Sequence, residues 1–342
     1  MIQHLKQGRR PTMKLRGVDY GRIFCAVGAR GMFGEGYPFH RPWRFVFRVN
    51  LDKTTLATKT ITMDRVEGNM PLRKDGLTPV EFEPGCIYVD FLSSLMHNAV
   101  GLSNFGVPFY LEQNRWQLQP DPFVITFKAI STTKVQRLEE TRQFIKLLQR
   151  YLPFFRAPVA LQFNFGCPNV KHESDDLLQE IGETLQEAAV LGIPLMVNFS
   201  VVAPPDLLVD VLTLDDCDAL WLANTIEWGY PGIDWEATYR SAKSPTVLRG
   251  YTETNGSPCQ GGYSGPLALP FAIERVMLVR AAGVDKPIVA GNGIRRPRDV
   301  KRLFNVGVDA VAYGSGYVVE PWNSRAVIRT ARDVHTWGET RL

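Results

Sequence analysis

ALQFNFGCPNVKHESDDLLQEIGETLQEAAVLGIPLMVNF, residues 160–199, carries the signal that decides the fold. Residues 160–165 form an apolar, β-rich run, and residues 174–192 place apolar side chains at helical spacing. Gly192 and Pro194 stop that helix, and 194–199 is apolar again. A strand, a helix and a second strand over this length predict parallel pairing through a crossover. The alternation extends in both directions. RIFCAVG (22–28), LATKTIT (56–62), FVITFK (123–128), ALWLAN (219–224), PIVAGNG (287–293) and AVAYGS (310–315) read as further strands. Helical patterns occupy 135–152, 269–283 and 297–307. Eight strands alternating with helices predict an α/β fold, a closed (β/α)8 TIM barrel. It would form a single domain over 1–342, with an N-terminal extension at 1–19 and a C-terminal helix at 320–342. A doubly wound open sheet is the competing architecture.

Two segments interrupt the rhythm. Residues 63–122 contain a hairpin signal around Lys74-Asp75-Gly76, and residues 247–266 contain the glycine-rich run TNGSPCQGGYSGP. Both read as long loops at the C-terminal rim of the strands, and long loops in compact domains are usually functional.

Composition narrows the function classes. The 342 residues are 45% hydrophobic and 22% charged, with 39 basic against 35 acidic residues, an ordinary globular balance that gives no support to nucleic acid as a partner. Five cysteines, at 25, 86, 167, 217 and 259, contain no CxxC pair, so neither a disulfide framework nor a self-contained metal or iron–sulfur site is expected. The opening MIQHLKQGRRPTMKLRG lacks the apolar stretch of a signal peptide, and no run reaches the roughly 20 apolar residues of a membrane span. The expectation is a soluble cytoplasmic protein with no membrane partner.

Active sites of such barrels lie at the C-terminal ends of the strands. The residues there are Lys59 and Thr60, Asn164 with Cys167 beyond it, Asn198, Asn224 and Thr225, Asn292 and Gly293, and Gly314 and Ser315. Amides both donate and accept, so several asparagines converging on one point suit a flat, uncharged ring with imide or amide groups. Glycines after the last two strands fall where barrels hold phosphate through backbone N–H groups. For Cys167 two readings stay open on the residues alone. It is either a small buried hydrophobe, or a reactive thiol on a loop with Pro168, Asn169, Lys171 and His172.

FNFGCPNV (163–170) resembles the segment that carries the catalytic base of class 1 dihydroorotate dehydrogenases, the FMN-dependent enzymes with a cysteine base. TKTITMDRVEGNMPLR (58–73), NAVGLSNFG (98–106), LANTIEWG (222–229), GGYSGP (261–266), VAGNGIRRPRDV (289–300) and AVAYGSGYV (310–318) resemble further family segments in family order. The resemblance covers about residues 20 to 320 and implies oxidation of (S)-dihydroorotate to orotate in pyrimidine biosynthesis. Cys167 would remove the C5 proton while flavin N5 takes the C6 hydride. Asn98, Leu102, Asn164, Asn169, Asn224 and Thr225 would hold the pyrimidine, with Lys59 between substrate and flavin. Ala26, Gly28, Lys59, Thr60, Asn98, Asn164, Asn198, Ala223, Gly265, Asn292, Gly293, Gly314 and Ser315 would contact FMN. A soluble acceptor such as fumarate and a homodimer complete the expectation; an NAD route would need an iron–sulfur partner subunit. The alternatives are a flavin paralogue acting on another dihydropyrimidine-like ring, and a flavin-binding protein without turnover.

The chain departs from the family pattern in identifiable places. Asn198 stands where the family has a lysine beside the flavin, Gly166 where serine is common, and Val27 where a small polar residue is usual. Lys128, at the end of the run 123–128, is the candidate for the missing positive charge. The aromatic and arginine-rich stretch RGMFGEGYPFHRPWRFVFRVN (30–50) has no assigned role.

Overall fold

The computed structural model describes residues 12–166, 174–253 and 256–333. The chain enters through a small hairpin, β1 (Lys14–Leu15) and β2 (Val18–Asp19), where the sequence predicts only an extension. Arg16, at the hairpin turn, donates from Nε to Asp218 Oδ2 at 3.0 Å, and the same oxygen accepts from Leu195 N at 2.8 Å. The hairpin therefore sits at the start of the strand beginning at Leu195, away from the C-terminal rim.

Strand β3 (Ile23–Cys25) is followed by α1 (Arg41–Phe47), then by a hairpin of β4 (Ile87–Asp90) and β5 (Leu95–Asn98), and by α2 (Val107–Glu112). The regular alternation then begins. It runs β6 (Phe123–Phe127), α3 (Lys134–Tyr151), β7 (Val159–Gly166), α4 (Ser174–Ala188), β8 (Leu195–Ser200), α5 (Pro205–Thr213) and β9 (Ala219–Asn224). An excursion follows, of β10 (Ile226–Glu227), α6 (Trp235–Tyr239), α7 (Pro245–Leu248) and β11 (Gly262–Ser264). The chain returns through α8 (Ala268–Ala281), β12 (Ile288–Gly291), α9 (Pro297–Asn305) and β13 (Ala310–Tyr313), ending with α10 (Ser315–Val319) and α11 (Ser324–Arg332).

Seven of these strands form one parallel sheet in the order β3-β13-β12-β9-β8-β7-β6. The eighth position belongs to residues 55–61, which bridge β3 at Thr55 and β6 at Ala57 and Ile61 and so close the ring. The sequence predicts a regular strand here, but the ladder is interrupted. Lys59 N turns away to donate to Gly31 O at 2.9 Å, and the Thr58 hydroxyl accepts from Thr126 N at 3.0 Å. That departure turns Lys59 and Thr60 toward the rim cavity. The (β/α)8 barrel, and not the open sheet, is the architecture.

The barrel strands are buried on both faces, as their continuous apolar runs require. Phe127 stacks on Phe144 of α3 with ring centroids 4.0 Å apart, and Phe24 meets Trp221 edge-on at 5.1 Å. Burying each such side chain contributes roughly 1.5–3 kcal/mol. Thr133 and Gln136 form a capping box that starts α3, and Gly192, at φ +67, follows the last turn after α4.

The interrupting segments build a second sheet, antiparallel, in the order β10-β11-β5-β4. The predicted turn at Lys74-Asp75-Gly76 exists, with Arg73 N donating to Thr78 O at 2.8 Å, but the larger β4–β5 hairpin was not legible in the sequence. In this sheet Gly262 pairs with Asn98 and Tyr263 with His97. Alternation along β5 then turns Asn98 into the cavity and His97 away from it. His97 is fully buried between Tyr239 Oη (2.8 Å from Nδ1) and Gln260 O (2.8 Å from Nε2), which ties the excursion to the hairpin. No described helix is long and apolar enough to cross a membrane.

Candidate active site at the barrel rim

A cavity of about 1150 Å³ lies between the C-terminal rim of the barrel and the second sheet. Trp221 is part of its lining from within the barrel, and the loops after β3, β9 and β13 form its walls. Ala26, Gly28, Lys59, Thr60, Asn98, Leu102, Asn164, Ala223, Asn224, Thr225, Gly314 and Ser315 all line it. Residues drawn from well-separated parts of the sequence are thus brought to one place. Cys167 and Asn169 lie outside the described residues.

Two irregularities aim the asparagines. The β7–β8 register shifts between Asn164 and Gly166, and the β8–β9 register shifts between Phe199 and Ser200. Bulges of this kind bend a strand and re-aim its side chains, and they are enriched next to active sites. Gly166, at φ +71, completes the first bulge in a conformation that favours glycine.

The amides then form a directional chain. Asn198 donates from Nδ2 to Asn224 Oδ1 at 3.2 Å, Asn224 from Nδ2 to Asn164 Oδ1 at 2.7 Å, and Asn164 from Nδ2 to the Thr60 hydroxyl at 3.0 Å. Asn164 Oδ1 also accepts from Gly166 N at 3.0 Å, so one side chain of β7 holds both Asn224 of β9, two strands away, and the bulge at Gly166. Asn198 itself is completely buried beneath the cavity, and its Oδ1 has no partner among the described residues.

Four predicted contacts fall behind the cavity wall. Asn198 supports Asn224, and Asn292, at φ +66, donates to Asn224 O at 3.1 Å while accepting from Gly265 N at 3.2 Å. Gly293 packs against Gly265, and a Cβ there would stand 2.3 Å from Gly265 O. In this geometry Asn198, Gly265, Asn292 and Gly293 support the wall and do not form its surface. Sequence position alone could not separate the two roles.

Lys59 is buried, and its ammonium donates to Ser103 O. Burial pushes its pKa down to about 7, against smaller opposing effects of Cys86 and Glu35. The sign of the consequence is definite. In the unfolded chain a lysine titrates near 10.4, so between about pH 7 and 10.4 the unfolded state holds more protons and stability rises with pH. Lys59→Met removes that rise. Melting midpoints of the ligand-free proteins at pH 7 and pH 9.5 should place the wild type relatively higher at pH 9.5. A difference between the two proteins that does not change with pH sinks this reading.

Burial acts on the described cysteines in the opposite direction and disfavours their thiolates. Burial pushes the Cys86 thiol up to about 11 and those of Cys217 and Cys259 up to about 12, and Cys25 is also raised. Among the described residues no cluster of potential ligands could hold a metal ion.

One wall was missed altogether. Tyr37, Phe39, His40 and Trp43, from the stretch without an assigned role, line the cavity together with Phe91 and Tyr317. Tyr37 and Phe39 stack at 5.1 Å, and His40 lies edge-on to Tyr317 at 4.9 Å. Burial, with a smaller effect of Arg44, lowers the His40 pKa to about 4, so this wall is uncharged at neutral pH. Its aromatic density was the only sequence signal.

A lysine, an amide chain and a glycine-lined wall thus meet at the C-terminal rim of a (β/α)8 barrel, the position where enzymes of this fold carry their active sites. No family model matches the chain. It is 30% identical over 243 residues to the catalytic subunit of dihydroorotate dehydrogenase B (NAD(+)) of Bacillus caldolyticus, covering 68% of each chain. The corresponding subunits of Anoxybacillus flavithermus and Thermotoga maritima are 28% and 25% identical, over 66% and 73% of their lengths. The match spans about two thirds of the curated relatives. The fold also matches a crystal structure of DHODH from Eimeria tenella in complex with ferulenol, with a TM-score of 0.62 at 15% identity over 93% of this chain and 82% of that one. The chain belongs to the dihydroorotate dehydrogenase family.

Proposed function

We propose that the protein oxidises dihydroorotate to orotate with FMN bound in the rim cavity and Cys167 as the base. The observation that carries this reading is the amide chain Asn198–Asn224–Asn164–Thr60 at the edge of a cavity shared with Lys59. An uncharged imide ring needs amide donors and acceptors in fixed orientation, and a chain in which each amide orients the next supplies them.

The residues present fit a flavin. Gly28, at φ +78, brings the main chain beside Lys59, and Gly314 packs so closely on Ala26 that a Cβ there would stand 2.6 Å from Ala26 Cβ, so the loops after β3 and β13 meet at the cavity wall through their main chains. Ala26, Gly28, Thr60, Gly314 and Ser315 would hold the group at the cavity surface, with Asn292, Gly293 and Gly265 bracing them from behind. A bound flavin would supply the two-electron chemistry that no side chain provides. The chain's own work is positional and electrostatic. Asn98, Asn164 and Asn224 orient the ring, Lys59 stays fixed on Ser103 O at the cavity wall, and the second sheet excludes water. Cys167 accepts the C5 proton as the two electrons leave with the C6 hydrogen.

The relatives' names, NAD(+)-linked catalytic subunits, favour electron transfer through a partner subunit over the fumarate expected from the sequence. The test is anaerobic titration with dihydroorotate, followed at the flavin absorbance, for wild type and Cys167→Ala. Prompt bleaching of the wild type alone is expected, and bleaching undiminished in the variant removes the cysteine from the base role. Adding fumarate to the bleached protein then decides the acceptor, since rapid return of colour excludes the need for a partner.

A further inference from the structure

Lys128 follows β6 at the rim, and its backbone is fixed there because its N–H donates to Ile61 O at 2.9 Å. Its side chain lines the same cavity as Lys59, Thr60, Asn164 and Asn224. The ammonium lies over the β7 bulge, 3.4 Å from the point a Cβ on Gly166 would occupy. A side chain longer than alanine at 166 would compete with it for that space.

Two other described cations of the cavity are committed elsewhere. Lys59 donates to Ser103 O, while Arg249 donates to Gly85 O at 2.8 Å and lies over the Tyr88 ring at 5.2 Å. The Lys128 ammonium makes no hydrogen bond or ion pair among the described residues. Glu253 is its favourable electrostatic neighbour, and Arg137, held by Glu180 at 2.6 Å, is an adverse one. Burial disfavours its charged form. A half-buried lysine whose ammonium has no partner among the described residues gains most from a ligand that brings the opposite charge.

We infer that Lys128 is a ligand-binding residue that pairs with a negative charge carried by the molecules bound in this cavity. The inference rests on the functional reading above, which offers two sources of that charge. One is the carboxylate of dihydroorotate or orotate, and the other is the bound flavin in its reduced form. Asn198 carries no charge, and neither Asn164 nor Asn224 can supply one, so the amide chain serves the neutral parts of the ligands. Lys128 serves the anionic part.

The experiment uses the FMN-loaded protein as wild type, Lys128→Met and Lys128→Arg, with melting midpoints showing that each is folded. Orotate affinity is read from the perturbation of flavin absorbance, and the flavin midpoint potential is measured without pyrimidine present. Orotate binding weakened at least tenfold in Lys128→Met, at unchanged potential, assigns the charge to the carboxylate. A potential lowered by about 30 mV or more, equivalent to a tenfold change for a two-electron couple, assigns it to the flavin. Lys128→Arg should recover part of whichever effect appears. Both quantities unchanged in Lys128→Met, in a protein whose wild type binds flavin and orotate, overturn the inference alone. A wild type that retains no flavin and binds no orotate overturns the functional reading and this inference together.

Discussion

Gly293→Ala should cost the protein about 3 kcal/mol or more of stability and most of its ability to retain a bound flavin. Two independent penalties meet at this residue. Its φ of +78 lies in the region that L side chains rarely adopt, and its Cβ would stand 2.3 Å from Gly265 O, 3.0 Å from Gly265 C and 3.2 Å from Leu269 N. All three are backbone atoms and cannot rotate aside. They belong to the turn that starts α8, where Ala268 N donates to Gly265 O at 3.0 Å. Relieving the clash means separating the end of β12 from that turn, which also breaks the bond from Gly265 N to Asn292. Gly283→Ala is the control. Gly283 has φ +82 but nothing within 4 Å of its would-be Cβ, so it bears only the conformational cost, about 1 kcal/mol. Thermal melting and flavin content of the two variants separate the terms. Equal, small losses in both mean that the junction is soft and that the wall does not depend on it.

The same junction shows what the sequence could and could not convey. The eight runs of β-rich sequence reached the right architecture because period, crossover length and glycine stops are local signals, and a parallel barrel is built from local units. The weakest run, 56–62, was placed correctly but misjudged as regular. Its interruption comes from Gly31 and Thr126, which are distant in sequence. The β4–β5 hairpin was missed for a related reason: its partner β11 lies more than 160 residues away, and neither strand is long enough to announce itself. Among the site residues, position at a strand end identified those that share the rim. It did not distinguish Asn224, which faces the cavity, from Asn292, which holds Asn224 in place. That difference depends on φ at Asn292 and on register shifts in the neighbouring strands, and neither leaves a mark in one sequence. The aromatic wall was visible as composition but had no assigned role, because packing of Tyr37 and His40 against Phe39 and Tyr317 depends on how α10 closes the barrel.

Asn164→Ala is the substitution in the amide chain with the largest expected effect on turnover, a fall of about 100- to 1000-fold in kcat/KM for dihydroorotate. The size follows from what one side chain holds. Its Oδ1 accepts from both Asn224 Nδ2, at 2.7 Å, and Gly166 N, at 3.0 Å, and its Nδ2 reaches Thr60. Truncation leaves a strong donor on Asn224 without its acceptor, frees the bulge at Gly166 and removes a ring contact in one step. Freeing the bulge also loosens the point from which the chain continues to Cys167, and misplacement of a reacting group by about 1 Å can by itself cost 100-fold. Asn198→Ala is the graded comparison. Asn198 stands at the buried donor end of the chain, contributes one bond at 3.2 Å to Asn224, and leaves no donor stranded when removed. Its loss should lower kcat/KM about fivefold, since a single supporting hydrogen bond is worth about 1 kcal/mol. The ratio of the two effects is the discriminating measurement. If the amides act as independent contacts, Asn164→Ala and Asn198→Ala combine additively in the double variant. If they act as a directed chain, the double variant is scarcely worse than Asn164→Ala alone, because Asn224 has already lost its orientation. Additivity would mean that the chain is a coincidence of packing and that each asparagine binds on its own account.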